Sequence, residues 1–251
     1  MSHGRGTAVP PAANAWTREI PDEQWAVYRE AVDAVQADGC RVLLGGAFAL
    51  ATYTGRWRNT KDLDFYVLPA ERGPVVRSLM EAGFEDFHRR MPYDRGWIHR
   101  LFRDDVIVDV IWSMANRRAA VDEDWFRYAR PLVINGRGLA SIPAEELLWA
   151  KLYVLQRDRC DWPDVLNLMY AVGPELDWNR LIDRMGDDAS VLAAALTLFG
   201  WLAPERAADL PDLRRRLEFA APAPPLSDED GPVRRAALLD TRSWFLPMPR
   251  E

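Results

Sequence analysis

Cysteine is nearly absent from this chain. Cys40 and Cys160 are the only two among 251 residues. Two thiols are too few for a disulfide framework or a zinc site, so they read as reduced thiols of a cytoplasmic protein. No apolar run approaches the length of a membrane span, and the N-terminal stretch MSHGRGTAVPPAANAW has no apolar signal-peptide centre. The expectation is a soluble protein with no membrane partner. A basic excess is missing too. The net charge is −6, which argues against a generally basic nucleic-acid surface while leaving room for a local patch. Lysine is the scarcest charged residue: of 32 basic residues only Lys61 and Lys151 are lysines. A genome rich in arginine codons explains the total but not where the two lysines sit. A compact ammonium and a planar guanidinium are not interchangeable at a tight site. Both lysines are therefore candidate functional residues, with coincidence as the alternative.

What is present is apolar residues, at 49% of the chain, enough for one large core or two modest ones. The chain is organised around VLLGGAFALATYTGRWRNTKDLDF, residues 42–65. It reads as a strand, a glycine pair, a helix, a basic loop and a second strand. Gly45-Gly46 between strand and helix lets backbone N–H groups approach a phosphate, although most such turns are only tight turns. The loop carries Arg56, Arg58 and Lys61. In the second strand Leu63, Phe65 and Val67 alternate with Asp62, Asp64 and Tyr66. Asp62 and Asp64 at i and i+2 point to the same face. Adjacent carboxylates repel and are costly to desolvate, so a cation belongs between them. Mg²⁺ holding a nucleoside triphosphate is the natural candidate.

The rest of the chain reads in order. Residues 1–19 are aperiodic and suggest a mobile tail. Pro21-Asp22-Glu23 opens a helix whose apolar face is Trp25, Tyr28, Val32 and Val35. Residues 69–83 suggest a helix with Val75, Val76, Leu79 and Met80 inward, and 84–87 a short strand. Residues 97–102 form a strand ending in a hairpin turn at Asp104-Asp105. VIVDVIW, residues 106–112, is the strongest strand, with Asp109 in its middle. A carboxylate there is expensive unless paired or metal-bound, the alternative being an edge strand facing solvent. Asn135-Gly136 marks a second hairpin. A helical half begins near Ser141. Lys151 falls on its stripe with Leu147 and Leu155, either snorkelling or reaching a triphosphate. Asp161 reads as a cap. Further helices are expected to about Val172 and over 177–185, 189–202 and 205–219. Residues 221–232 are Pro-rich and acidic, and Trp244, Phe245 and Leu246 are candidates to dock on the body.

Three D-x-D triplets occur: Asp62–Asp64, Asp122–Asp124 and Asp228–Asp230. Only the first follows a strand-Gly-Gly-helix and precedes an intrastrand aspartate. That ordered set, with the later EELLWAKLYVLQRDRCDWPDVLNL, resembles the DNA polymerase beta-like nucleotidyltransferase superfamily over roughly residues 40–170. Its small prokaryotic branch contains antibiotic-modifying enzymes and abortive-infection type toxins. The resemblance implies two Mg²⁺ ions: Asp62 and Asp64 bind both, and Asp109 completes the one nearer the acceptor. It also implies that Gly45 and Gly46 hold the β- and γ-phosphates, with Arg58, Lys61 and Lys151 as further phosphate contacts. His88 and His99 have no special claim as a base.

The fold expected is α/β: a small mixed sheet flanked by helices, followed by an α-helical C-terminal region. Its expected divisions are a tail (1–19), a nucleotidyltransferase core (20–142), a helical region (143–219) and a Pro-rich tail (220–251). The expected function is transfer of a nucleotide from an NTP to a hydroxyl. A small molecule, a tRNA or a protein could be the acceptor. A tRNA would need a basic groove, for which Arg56, Arg58, Arg89, Arg90, Arg117 and Arg118 are the dispersed candidates. The rival is a nucleotide-binding regulatory or antitoxin-like protein without turnover, against which the intact aspartate set argues.

Overall fold

The computed structural model describes residues 15–155, 159–213 and 216–217. Its centre is a mixed sheet of seven strands in the order β3-β4-β5-β2-β1-β7-β6. The strands are β1 (Leu43–Leu44), β2 (Asp62–Tyr66), β3 (Glu85–Asp86), β4 (Ile98–Arg103), β5 (Val106–Ile111), β6 (Arg130–Ile134) and β7 (Arg137–Ser141). β2 runs parallel to β5 and antiparallel to β1, while β4 and β5 form a hairpin. Both expected hairpin turns are present. Asp104 at φ 53°, and Asn135 and Gly136 at 44° and 82°, adopt the left-handed backbone such tight turns need.

Strand alternation gives the sheet two different faces. Leu63, Phe65, Val108 and Val110 point to one face, where α1 (Asp22–Ala37) and α3 (Arg72–Glu81) bury them with Val32, Val35, Val75 and Leu79. Asp62, Asp64 and Asp109 point to the other. Toward the β1 and β7 side, that opposite face is built over by α2 (Gly46–Thr54), α5 (Ala144–Leu152), α6 (Trp162–Val172), α7 (Trp178–Met185) and α8 (Ala189–Leu202). Leu43, Ala49 and Leu50 share one apolar core with Leu147, Leu148, Leu168, Leu181 and Leu192. The C-terminal helices thus pack directly on the strand-Gly-Gly-helix unit. Between these layers, α4 (Glu123–Arg127) contributes Trp125, stacked on Tyr66 at 5.4 Å.

Three expectations are corrected. Residues 15–19 are a 3-10 turn, not a mobile tail: Trp16 is buried, stacked on Trp57 at 5.4 Å and edge-on to Phe48. An indole that finds two aromatic partners gains more by burial than the turn loses in chain entropy. Met80 is 45% exposed and Val76 only partly buried, because α3 touches the sheet along the narrower stripe of Val75, Ser78 and Leu79. The helix expected over 205–219 is interrupted: α9 (Pro204–Ala207) ends, 211–213 are irregular, and 216–217 are helical again. Pro211 explains this, since it lacks an N–H and steers Leu210 away from helical backbone. The Pro-rich stretch, the triplet Asp228–Asp230 and the Trp244–Leu246 run lie outside the described residues. No described helix is long and apolar enough to cross a membrane.

Candidate active site

The site is a row of charges across three strands. Register places Asp64 of β2 beside Asp109 of β5, and Asp109 beside Arg100 of β4. Asp62 lies one step along β2 on the same face. Two like charges side by side in neighbouring strands are unfavourable, and nothing in β2 relieves them. Burial, then the nearby charges of Asp109 and Asp62, pushes the Asp64 carboxyl well above the ordinary carboxylate range. Asp109, with its side chain almost fully buried, is pushed up by burial and held back by Arg100. The guanidinium meets it two-pronged, Nε to Oδ1 at 2.8 Å and Nη2 to Oδ2 at 2.7 Å.

The glycine pair is required by contact with β2. The Gly45 N–H donates to the Asp64 carbonyl at 2.9 Å. A side chain at Gly45 would run into the Tyr66 ring, and one at Gly46 into the Asp64 carboxylate. Gly46 also has φ +50°, which other residues adopt only under strain. The N-terminus of α2 is thereby held directly against Asp64, with no side chain capping its amides.

A second charged cluster stands next to this row. Lys151 donates to Asp161 at 2.9 Å and to Asp164 at 2.8 Å, and all three side chains are buried. Asp161 stands at the cap position of α6 but makes no cap bond; its oxygens serve Lys151 and Arg159. Burial would raise the Asp161 carboxyl, yet the Lys151 charge and the bonds from Arg159 and Lys151 bring it below its ordinary value. Asp164 accepts both prongs of Arg58, at 3.1 and 3.0 Å. Arg58 and Arg159 keep about two-thirds of their side chains exposed, at 66% and 68%. The charges of Arg159 and Lys151 reach Asp64 and oppose its upward shift.

The structure therefore brings Gly45, Gly46, Asp62, Asp64, Asp109, Arg58 and Lys151 into one neighbourhood. Lys61 is not among them. It pairs with Asp105 at 3.6 Å, both exposed, at the hairpin turn. Strand alternation puts residues 61 and 63 opposite to Asp62 and Asp64. Lys151 neither snorkels nor stands free: it is the buried counter-ion of two aspartates. Sequence reasoning missed Arg100 and Arg159. Arg100 was within reach, because the Asp104-Asp105 turn alone sets the register that puts Arg100 opposite Asp109.

Asp122–Asp124 is explained without chemistry. Asp122 caps α4 through the Asp124 N–H at 3.0 Å, and both carboxylates pair with Arg184.

Among the described residues no three carboxylate, histidine or cysteine side chains converge as a ready metal cage. The donor chemistry still fits Mg²⁺. This ion is commonly held by one or two carboxylates plus substrate phosphates and water, and the under-compensated Asp62–Asp64 pair is such a donor set.

A mixed α/β sheet bearing this carboxylate row behind a strand-Gly-Gly-helix is the arrangement that the nucleotidyltransferase resemblance implies. The chain belongs to a family described as uncharacterised nucleotidyltransferase, whose pattern matches residues 26–205. No curated protein matches it. Among solved structures, the solution structure of the antibiotic-resistance factor ANT(2'')-Ia is similar at 18% identity and TM-score 0.49, covering 68% of this chain and 94% of that one. The lincosamide antibiotic adenylyltransferase LnuA, bound to lincomycin, gives 16%, TM-score 0.43 and coverages of 59% and 96%. JHP933 from Helicobacter pylori gives 16%, TM-score 0.41 and coverages of 79% and 95%.

Proposed function

We propose that this nucleotidyltransferase uses Mg²⁺ and an NTP to place a nucleotide on the hydroxyl of a small-molecule acceptor. The observation that carries the reading is the Asp62–Asp64 pair: two carboxylates on one face, beside Asp109, with no side-chain cation among the described residues bound to either. Bound Mg²⁺ supplies charge neutralisation at the phosphates and activation of the acceptor oxygen. The chain's own residues do the rest. Asp62 and Asp64 would hold the metal. The uncapped amides of the first turn of α2, which begins at Gly46, and the exposed guanidiniums of Arg58 and Arg159 take the phosphates, while the Gly45 N–H is already committed to the Asp64 carbonyl. Lys151 fixes Asp161 and Asp164, which aim those two guanidiniums. In the reaction the acceptor oxygen forms a bond to the α-phosphorus. The bond from that phosphorus to the α–β bridging oxygen breaks, pyrophosphate leaves with the electron pair, and the hydroxyl proton passes to solvent.

A small acceptor is favoured because three of the six dispersed arginines are already engaged within the protein. Arg117 and Arg118 are tied to Asp94 and Asp188, and Arg90 lies 3.6 Å over the Phe102 ring. The test is incubation with Mg²⁺ and each of the four α-labelled NTPs, with small-molecule extract, tRNA or protein as acceptor. Pyrophosphate release with label in the small-molecule fraction is expected. Label in tRNA or protein overturns the acceptor assignment. Nucleotide binding with no transfer to any fraction overturns the enzyme reading in favour of a regulatory protein.

A further inference from the structure

The three carboxylates do not stand alike. Among the described residues no cationic side chain is bound to Asp62 or Asp64, whereas both oxygens of Asp109 are taken by Arg100. Arg100 is itself held: its backbone N–H donates to the Tyr93 hydroxyl at 2.7 Å, and its guanidinium lies 5.8 Å from the Phe87 ring centre. Asp109 thus has Asp64 on one side of the row and Arg100 on the other, and its oxygens are committed to the far side. A guanidinium cannot clear the way by losing a proton, so it must move to release Asp109.

Resting on the nucleotidyl-transfer reading, we propose that Arg100 withholds Asp109 from the divalent ion until nucleotide arrives. The chain alone then takes one ion, at Asp62 and Asp64, and Asp109 is enlisted only in the nucleotide complex. Charge count agrees. The three aspartates and Arg100 together carry the charge that one divalent cation balances. The incoming nucleotide supplies the exchange partner, because phosphate oxygens match the planar guanidinium fork as well as a carboxylate does. Arg100 is a positioning residue in this scheme: it acts through Asp109.

The test is Mn²⁺ titration of the full chain, followed by electron paramagnetic resonance and calorimetry, with and without NTP. Wild type is expected to bind one ion without nucleotide and a second with it. Asp109→Asn should leave nucleotide-free affinity within about twofold, since a withheld carboxylate contributes only through space. Arg100→Gln should tighten nucleotide-free binding about tenfold or admit a second ion, while transfer falls. A loss of about tenfold or more in nucleotide-free Mn²⁺ affinity for Asp109→Asn overturns the inference, because ligand loss has that scale. So does an Arg100→Gln protein with unchanged stoichiometry and affinity, or wild-type binding that appears only with nucleotide. If Arg100→Gln fails to fold by circular dichroism, the Asp109→Asn titration decides alone. Wild type that binds no Mn²⁺ under either condition overturns the nucleotidyl-transfer reading itself.

Discussion

Two clusters of aspartates lie side by side in this molecule, and they are built on opposite principles. Around Lys151, every buried carboxylate has its cation: Asp161 and Asp164 share the ammonium and each holds an arginine. Around Asp64, among the described residues, the carboxylates outnumber the cations bound to them, and only Asp109 is paired. Charge balance makes the first cluster a fixed scaffold. Under the proposed function, the charge deficit makes the second the place where a cation is received. Buried charge alone does not mark function; buried charge left uncompensated does.

The comparison can be broken at several points. The largest effect is expected for Asp64→Ala. It removes the centre of the deficit and should lower transfer by about a thousandfold or more, the scale of losing a principal electrostatic contributor. Its thermal unfolding should stay at or above wild type, because a raised carboxyl pKa marks a group that costs stability when ionised. A markedly lower Tm would place Asp64 in the scaffold class. Lys151→Met should do the reverse. Leaving Asp161 and Asp164 unpaired costs about 3–5 kcal/mol, or about 10 °C in Tm for a chain of this size. Unchanged Tm with weakened NTP binding would instead make Lys151 a phosphate ligand. Arg159→Ala should raise the KM for NTP about tenfold with kcat nearly constant, the loss of one charged hydrogen bond to phosphate. A fall in kcat at constant KM would move Arg159 from binding to chemistry. Asp122→Ala, in the D-x-D that serves as a cap, should cost about 1 kcal/mol in urea unfolding and leave transfer unchanged. Any loss of transfer there would show that the two triplets are not as different as their surroundings.

Sequence pattern made much of the sheet legible because its signals are local. The alternation around Asp62 and Asp64, the β-branched run around Asp109 and the Asn135-Gly136 turn each depend on a few adjacent residues. Three of the four members of the charge row could be named on that basis. Arg100 was not, because thirty arginines give no reason to prefer one until the Asp104-Asp105 turn is used to set the strand register. It is identified only by pairing the strands. Lys151 shows the opposite failure. Its rarity drew attention, but its role depends on Asp161 and Asp164, ten and thirteen residues away on another helix. Trp16 was misread for the same reason: its partners, Phe48 and Trp57, are distant in sequence and leave no periodic trace around it. The break at 211–213 was legible in Pro211 and simply outweighed by the surrounding leucines and arginines.

The buried Trp16 also bears on how the protein is handled. Its partner Trp57 is the immediate neighbour of Arg58, and the same loop continues through Thr60, whose hydroxyl accepts the Asp62 N–H. A fragment cut at the first regular helix, at residue 21, would strip the indole that packs one side of this loop. An expressed fragment intended for activity or crystallisation should therefore begin upstream of Ala15, and a cleavable tag should leave its scar before that residue.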